Sequence, residues 1–291
     1  MYPYIPKDNY AELRALSNLR LQTQEELTRI KNRIAKWISV YFPEYKEVYN
    51  DIYAAGGMLV LKEASLPADI LKLGTNGITK IWRDVKLRAS GIKRAQKIVD
   101  AAGNSIGNSR CPETASLEIR YLINDYETYS GRLNELITKI DSLVEKEDNV
   151  QNILEIPGVS VKTASIVIAE IGDIHRFSNA KQIQKLAGLA IVDHDQSGKH
   201  KGEHYISYRE RKRLRYALYE AALTVVRFDE GFRQIYDYYR NRTENPLKKM
   251  QALIAISCKL IRVFYAILIK GEKYDRDKLL HDIKRPTTAA A

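Results

Sequence analysis

Ile119, Leu122, Tyr126, Tyr129, Leu133, Leu136, Ile140 and Leu143 follow one another at steps of three and four, without a break. An α-helix turns once in about 3.6 residues, so this spacing gathers all of them into one apolar stripe more than three heptads long. Such a stripe has to be covered. One cover is a second helix in a coiled coil. The other is an intramolecular hairpin with residues 10–41, where Leu27, Ile30, Ile34, Trp37 and Tyr41 keep the same spacing until Pro43 ends the helix. The spacing leaves both open.

Most other long segments are also helix-periodic, and alternation of β-branched residues is scarce, so the expected fold is mainly α. Gly56, Gly57, Pro67, Gly74, Gly77, Gly91, Gly103 and Gly107 punctuate the region between 50 and 110, predicting short helices joined by turns. The expected organisation is a helical connector over 1–113, a coiled-coil segment over 114–148, a carboxy-terminal helical domain over 149–275 and a tail over 276–291. A chain of 291 residues is long enough for more than one core.

Lys and Arg number 47 against 36 Asp and Glu, a net charge of +11 that favours a polyanionic partner, nucleic acid first. Cys111 and Cys258 are the only cysteines and stand far apart, as in a protein of a reducing cytoplasm rather than a disulfide-stapled one. The start, Met1-Tyr-Pro-Tyr-Ile-Pro, lacks the basic and apolar runs of a signal peptide. Residues 252–269 are strongly apolar, but Lys259 and Arg262 interrupt them, which predicts a buried core helix and no membrane association.

Three segments bear on chemistry. Residues 153–171 place Pro157-Gly158 between two apolar stretches in the pattern of a helix-hairpin-helix. Gly158 allows a tight turn whose amides, with the next helix amino terminus and Lys162, suit a phosphate; a plain packing corner uses the same glycine. Further on, Ser178 or Asn179 caps a helix running to Gly188, and a polar loop follows over Asp193–Gly202. In that loop Ser197 stands beside Gly198, with Lys199 and Lys201 nearby. This is either a simple turn or a nucleophile whose lysines offset phosphate charge. His194, His200 and His204 with Asp193 and Asp195 read as solvated loop residues, and no metal site is expected; spacing does not say which of them would accept a proton from Ser197. Finally Arg209, Arg211, Lys212, Arg213 and Arg215 crowd the start of a helix. Cations there oppose the helix dipole, which predicts a compensating anionic partner such as phosphate; a solvated face is the alternative.

Together, Ile156-Pro-Gly-Val, Glu170-Ile-Gly-Asp with Arg176-Phe, Leu186-Ala-Gly-Leu189, Ser197-Gly, Leu214-Arg-Tyr-Ala-Leu-Tyr with Ala221-Ala222, and Lys270-Gly-Glu-Lys-Tyr-Asp275 occur in one order. In this the chain resembles insertion-sequence transposases whose full-length members join an amino-terminal RuvC-like domain, bearing a DEDD set of acids, to a carboxy-terminal serine domain. Piv-type invertases and bridge-RNA-guided recombinases share that plan. The resemblance runs from Tyr4-Ile-Pro to Asp275.

It implies that Ser197 is the nucleophile, attacking a DNA phosphodiester to form a transient protein-DNA phosphoester. It also implies that the arginine-rich stretch holds DNA or guide RNA, that Mg²⁺ belongs to the RuvC-like half rather than to this chain, and that copies assemble into composite sites. In the family most of the acids precede the Tyr-Ile-Pro segment, so the sequence is expected to lack most of the DEDD domain. Relatives commonly carry Gly-Asn where this sequence has Glu210-Arg211. The competing expectations are a non-enzymatic DNA- or RNA-binding regulator acting through oligomerisation, and a purely structural helical protein.

Overall fold

A computed structural model describes residues 8–87, 91–146, 150–196 and 199–281, with the backbone alone for 8, 192–196 and 199–205. The fold is mainly α. In chain order come α1 (Asp8–Tyr41), α2 (Tyr45–Val48), α3 (Ala55–Glu63), α4 (Pro67–Asp84), α5 (Ile92–Gly103), α6 (Pro112–Val144), α7 (Val150–Leu154), α8 (Val161–Ile171), a 3₁₀ turn (Ile174–Arg176) and α9 (Ala180–Leu186). An antiparallel hairpin of β1 (Ile191–Gln196) and β2 (Lys199–Ile206) follows, then α10 (Lys212–Phe228), α11 (Glu230–Asn241), α12 (Lys249–Lys270) and α13 (Arg276–His281).

Contacts divide the chain into residues 20–135 and a unit made of residues 1–19 with 136–291. The division falls inside α1 and α6, whereas composition placed the boundaries near 113 and 148. The first unit is built on the predicted face of α1. Ile30, Ile34 and Trp37 lie in one core with Ile119, Leu122 and Ile123 of α6, and Tyr126 and Tyr129 pack on its edge. A buried indole needs a partner for its N–H. Trp37 Nε1 donates to Ala115 O at 3.0 Å, and Trp82 Nε1 to Gly56 O at 2.8 Å. Helices α4 and α5 lie against each other, and Gly74 kinks the former at φ +62°.

In the other unit Leu13 of α1 shares a small core with Ile140, Val144, Val150, Ile168 and Ala169. Of the two covers that spacing leaves open for the 119–143 stripe, the structure therefore shows the intramolecular one at both ends of α6. The larger core centres on α10, which packs on α8, α11 and α12. Helix α12 has the length and mean hydropathy of a membrane span. Here its Leu253, Ile256, Leu260, Ile261, Phe264 and Ile267 are buried in that core, and Lys259 is buried with them.

Candidate nucleic-acid interface

The first corner runs from α7 through Pro157-Gly158 to α8. Gly158 has φ +95°, where an L side chain is strained, and a Cβ there would lie 2.7 Å from Thr224 O of α10. The absent side chain is what lets α10 approach this turn. Ser160 caps α8, its hydroxyl accepting from Thr163 N at 3.2 Å, and Lys162 is exposed in the first turn. The glycine thus has a packing role whether or not the turn also meets a phosphate.

The second corner closes α9. Asn179 caps it by accepting from Gln182 N, and Gly188 follows at φ +67°. A Cβ on Gly188 would stand 2.2 Å from Arg209 O, because the chain returning from β2 is laid directly across it. Tyr208 N donates to Gly188 O at 3.2 Å and Arg211 N to Leu186 O at 3.0 Å. Between these anchors the expected polar loop is instead a β-hairpin. Ile191 pairs with Ile206, Asp193 with His204, Asp195 with His200 and Gln196 with Lys199, with one irregularity between Asp193 and Asp195. Its signal in the sequence was the two-residue Ser-Gly link, a hairpin connection, but the flanking runs carry aspartate, histidine and lysine where strands usually carry β-branched residues. Ser197 and Gly198 lie outside the described residues. Lys199 and Lys201 are on β2, and their side chains, like those of the loop histidines and aspartates, also lie outside them.

The arginine-rich start of α10 separates into two groups. Arg211 Nη1 meets Glu170 Oε2 of α8 at 2.9 Å, and both side chains are largely buried. Arg213 Nη1 donates to Asn18 Oδ1 of α1. Arg215 Nη1 donates to Ala187 O at 3.1 Å, and its guanidinium sits 5.3 Å from the Tyr208 ring centre. These three have intrachain acceptors that offset their unfavourable place at a helix amino end, so an anionic ligand is not required to explain them. Arg209 and Lys212 differ: both are exposed, and neither side chain has a partner among the described residues. Tyr208 and Glu210, on either side of Arg209, hold φ +52° and +71°. Positive φ at two bulky residues is costly, and the docking of 207–211 on α9 is what imposes it.

Sequence reasoning missed the partners. Glu170 is read in the sequence only as part of a motif, and Asn18 not at all. Asp229, fully buried, caps α11 by accepting from Phe232 N and is held by Tyr274 Oη at 3.0 Å and Arg276 Nη2 at 3.4 Å. Burial, and then the Asp229 carboxylate, push the Tyr274 hydroxyl well above the ordinary tyrosine range. The closing Lys-Gly-Glu-Lys-Tyr-Asp segment is therefore a clasp on α11. Among the described residues no three histidines, cysteines or carboxylates are grouped to hold a metal ion.

The unit carries a strand pair beside a basic helix start, where Arg209 and Lys212 have no side-chain partner among the described residues. In sequence the chain is similar to proteins of insertion elements and to a gene-inverting protein. Residues 150–237 match the Transposase IS116/IS110/IS902 family. Over 289 residues the chain is 25% identical to the insertion element IS116 44.8 kDa protein of Streptomyces clavuligerus, covering 98% of this chain and 69% of that one. It is 24% identical to the insertion element IS110 43.6 kDa protein of Streptomyces coelicolor, over 91% of this chain and 64% of the relative. A pilin gene-inverting protein of Moraxella bovis is 30% identical over 170 residues, 56% of this chain and 52% of that one. The chain thus spans about two thirds of the first two relatives.

Proposed function

We propose that this chain carries the serine half of a DNA transposase, with Ser197 as nucleophile. The observation that supports it most is that the family match over 150–237 contains the hairpin whose paired strands flank residues 197–198, anchored next to the basic start of α10. In the proposed step Ser197 Oγ attacks phosphorus and gives up its proton to a base. A serine-phosphate bond forms, the bond from phosphorus to one sugar oxygen breaks, and that oxygen takes up a proton. The exchange of one phosphoester for another keeps the strand rejoinable.

Arg209 and Lys212 hold backbone phosphate, with Lys162, Lys199 and Lys201 as further contacts and the Gly158 turn beneath them. Arg211, Arg213 and Arg215 position the start of α10 through Glu170, Asn18 and Ala187. A guide RNA is a second polyanion these cations would accept. The Mg²⁺ that the resemblance implies has no fitting set among the described residues, so no step is assigned to it. An acidic half outside these residues, and assembly with a chain carrying it, are part of the proposal.

The test is a denaturing gel of the chain with element-end DNA, Mg²⁺ and candidate RNA, alone and mixed with a relative containing the acidic half. A covalent adduct that vanishes in Ser197→Ala supports the nucleophile, and dependence on the relative supports a composite site. DNA binding without adduct in any mixture would replace this reading with that of a non-enzymatic binding protein.

A further inference from the structure

The same unfavourable charge pattern recurs at residues 67–103, and there most of the cations have no partner among the described residues. Residues 67–103, the α4–α5 pair, hold eight Lys and Arg against three Asp, a net +5 of the chain's +11. Lys72, Lys80, Arg83, Lys86, Lys93 and Lys97 are exposed, and their side chains make no ion pair or hydrogen bond with a described residue. Elsewhere cations do find carboxylates, as Lys62 does on Glu127 and Lys278 on Glu272. The three acids in the pair do other work or stand apart: Asp69 accepts from Leu66 N, Asp100 from Gln96 Nε2, and Asp84 is exposed.

The placement is ordered. Beyond the Gly74 kink the buried residues of α4 are Ile78, Thr79 and Trp82, and along α5 Ala95, Ile98 and Ala102. At about 100° per residue, Lys80, Lys93 and Lys97 fall opposite those buried faces and Arg83 on the flank beside Lys80, so that Lys80 with Arg83 and Lys93 with Lys97 form like-charged i,i+3 and i,i+4 pairs. Such pairs weaken a helix. Lys93 also lies in the first turn of α5, which has no acidic residue to answer the helix dipole. At α10 the equivalent cost is met by Glu170, Asn18 and Ala187 O. At α5 Arg94 sits over the Tyr49 ring, 5.5 Å from its centre, but Lys93 and Lys97 have no such counterpart among the described residues, which leaves their charge to be answered by an anionic partner.

We infer that the outer face of α4–α5 is a second nucleic-acid contact, binding the phosphodiester backbone of a duplex without reading its sequence. Repeated point charges on two adjoining helices match a repeated phosphate charge, and each neutralised phosphate releases condensed counterions. The inference rests on the nucleic-acid reading above but not on serine chemistry.

The test is salt-dependent binding of the full chain to random-sequence DNA and RNA duplexes. The wild type is compared with a variant carrying Lys80→Ala, Arg83→Ala, Lys93→Ala and Lys97→Ala, and with a second carrying Arg209→Ala and Lys212→Ala. The four-site variant should bind at least tenfold more weakly at moderate salt and flatten the slope of log K against log salt by about 3.6. The duplex showing the larger change names the source. Acetylation protection of Lys80, Lys93 and Lys97 in the wild-type chain on adding that duplex gives the same answer if the variant misfolds. An unchanged slope in a folded variant, or lysines unprotected by either duplex, overturns the inference. Protection by anionic vesicles alone overturns it as well and points to lipid. If only the α10 variant loses binding, the α10 reading stands and this one falls; if the wild type binds neither duplex at low salt, both fall.

Discussion

Glu210 holds φ +71°, so a side chain sits in a conformation that glycine adopts freely. Removing the strain while adding back glycine's unfolded-state freedom leaves a net gain, and Glu210→Gly should stabilise the chain by about 1 kcal/mol in a urea titration. A second residue-level expectation concerns the thiols. Burial raises the Cys258 thiol to about 11, while Cys111 is exposed. Cys258 should therefore resist iodoacetamide at pH 8 until the chain unfolds, with Cys111 reacting first, as peptide mapping would show. The folded pKa lies above the unfolded one, so Cys258's contribution is complete below about pH 8.5 and is lost as pH rises towards 11. Single residues were the least legible level of the sequence. Arg211 reads as a phosphate ligand because its neighbours are cations, yet its partner, Glu170, is 41 positions away, and no local spacing reports that pair. Arg213 and Asn18 repeat the lesson at a separation of 195.

Elements were legible where period and punctuation agree. The end of the first helix could be placed near Tyr41 because the three-four spacing runs unbroken from Leu27 to Tyr41 before Pro43, and α9 could be bounded because Asn179 and Gly188 mark its ends. The β1–β2 hairpin was not, since its strands lack an apolar face that would declare a period of two. The helix-turn-helix corner at 153–171 was visible, but the reason for its glycine was not: it is the approach of α10, an element more than fifty residues later. Gly158→Ala should accordingly destabilise the chain by about 2–4 kcal/mol, through strained φ and overlap with Thr224 O. Lys162→Ala at the same corner should leave unfolding unchanged. Equal stability of Gly158→Ala and wild type in denaturant would remove the packing explanation.

At the level of the whole molecule, residues 20–135 interrupt a unit made from the segments on either side. Leu13, 1% exposed, is the contribution of the early segment to the small core with Ile140, Val144 and Ile168. Leu13→Ala should cost about 3 kcal/mol in that unit, measured by hydrogen exchange at Ile140 and Ile168, and an unchanged exchange rate there would show that residues 8–19 do not brace it. Only the general class of the fold was readable here, because the boundaries pass through the middle of two long helices where composition does not change. The interruption also sets an order of events during synthesis. The strip that bears Leu13 and Asn18 is made first, but Ile168 and Arg213 emerge only after about 150 to 200 further residues, roughly 10–40 seconds later at ordinary elongation rates. The inserted unit has all its residues in hand well before then. The strip thus waits for the segment that carries the basic helix, and Asp229 of α11 waits longer still, for Tyr274 and Arg276.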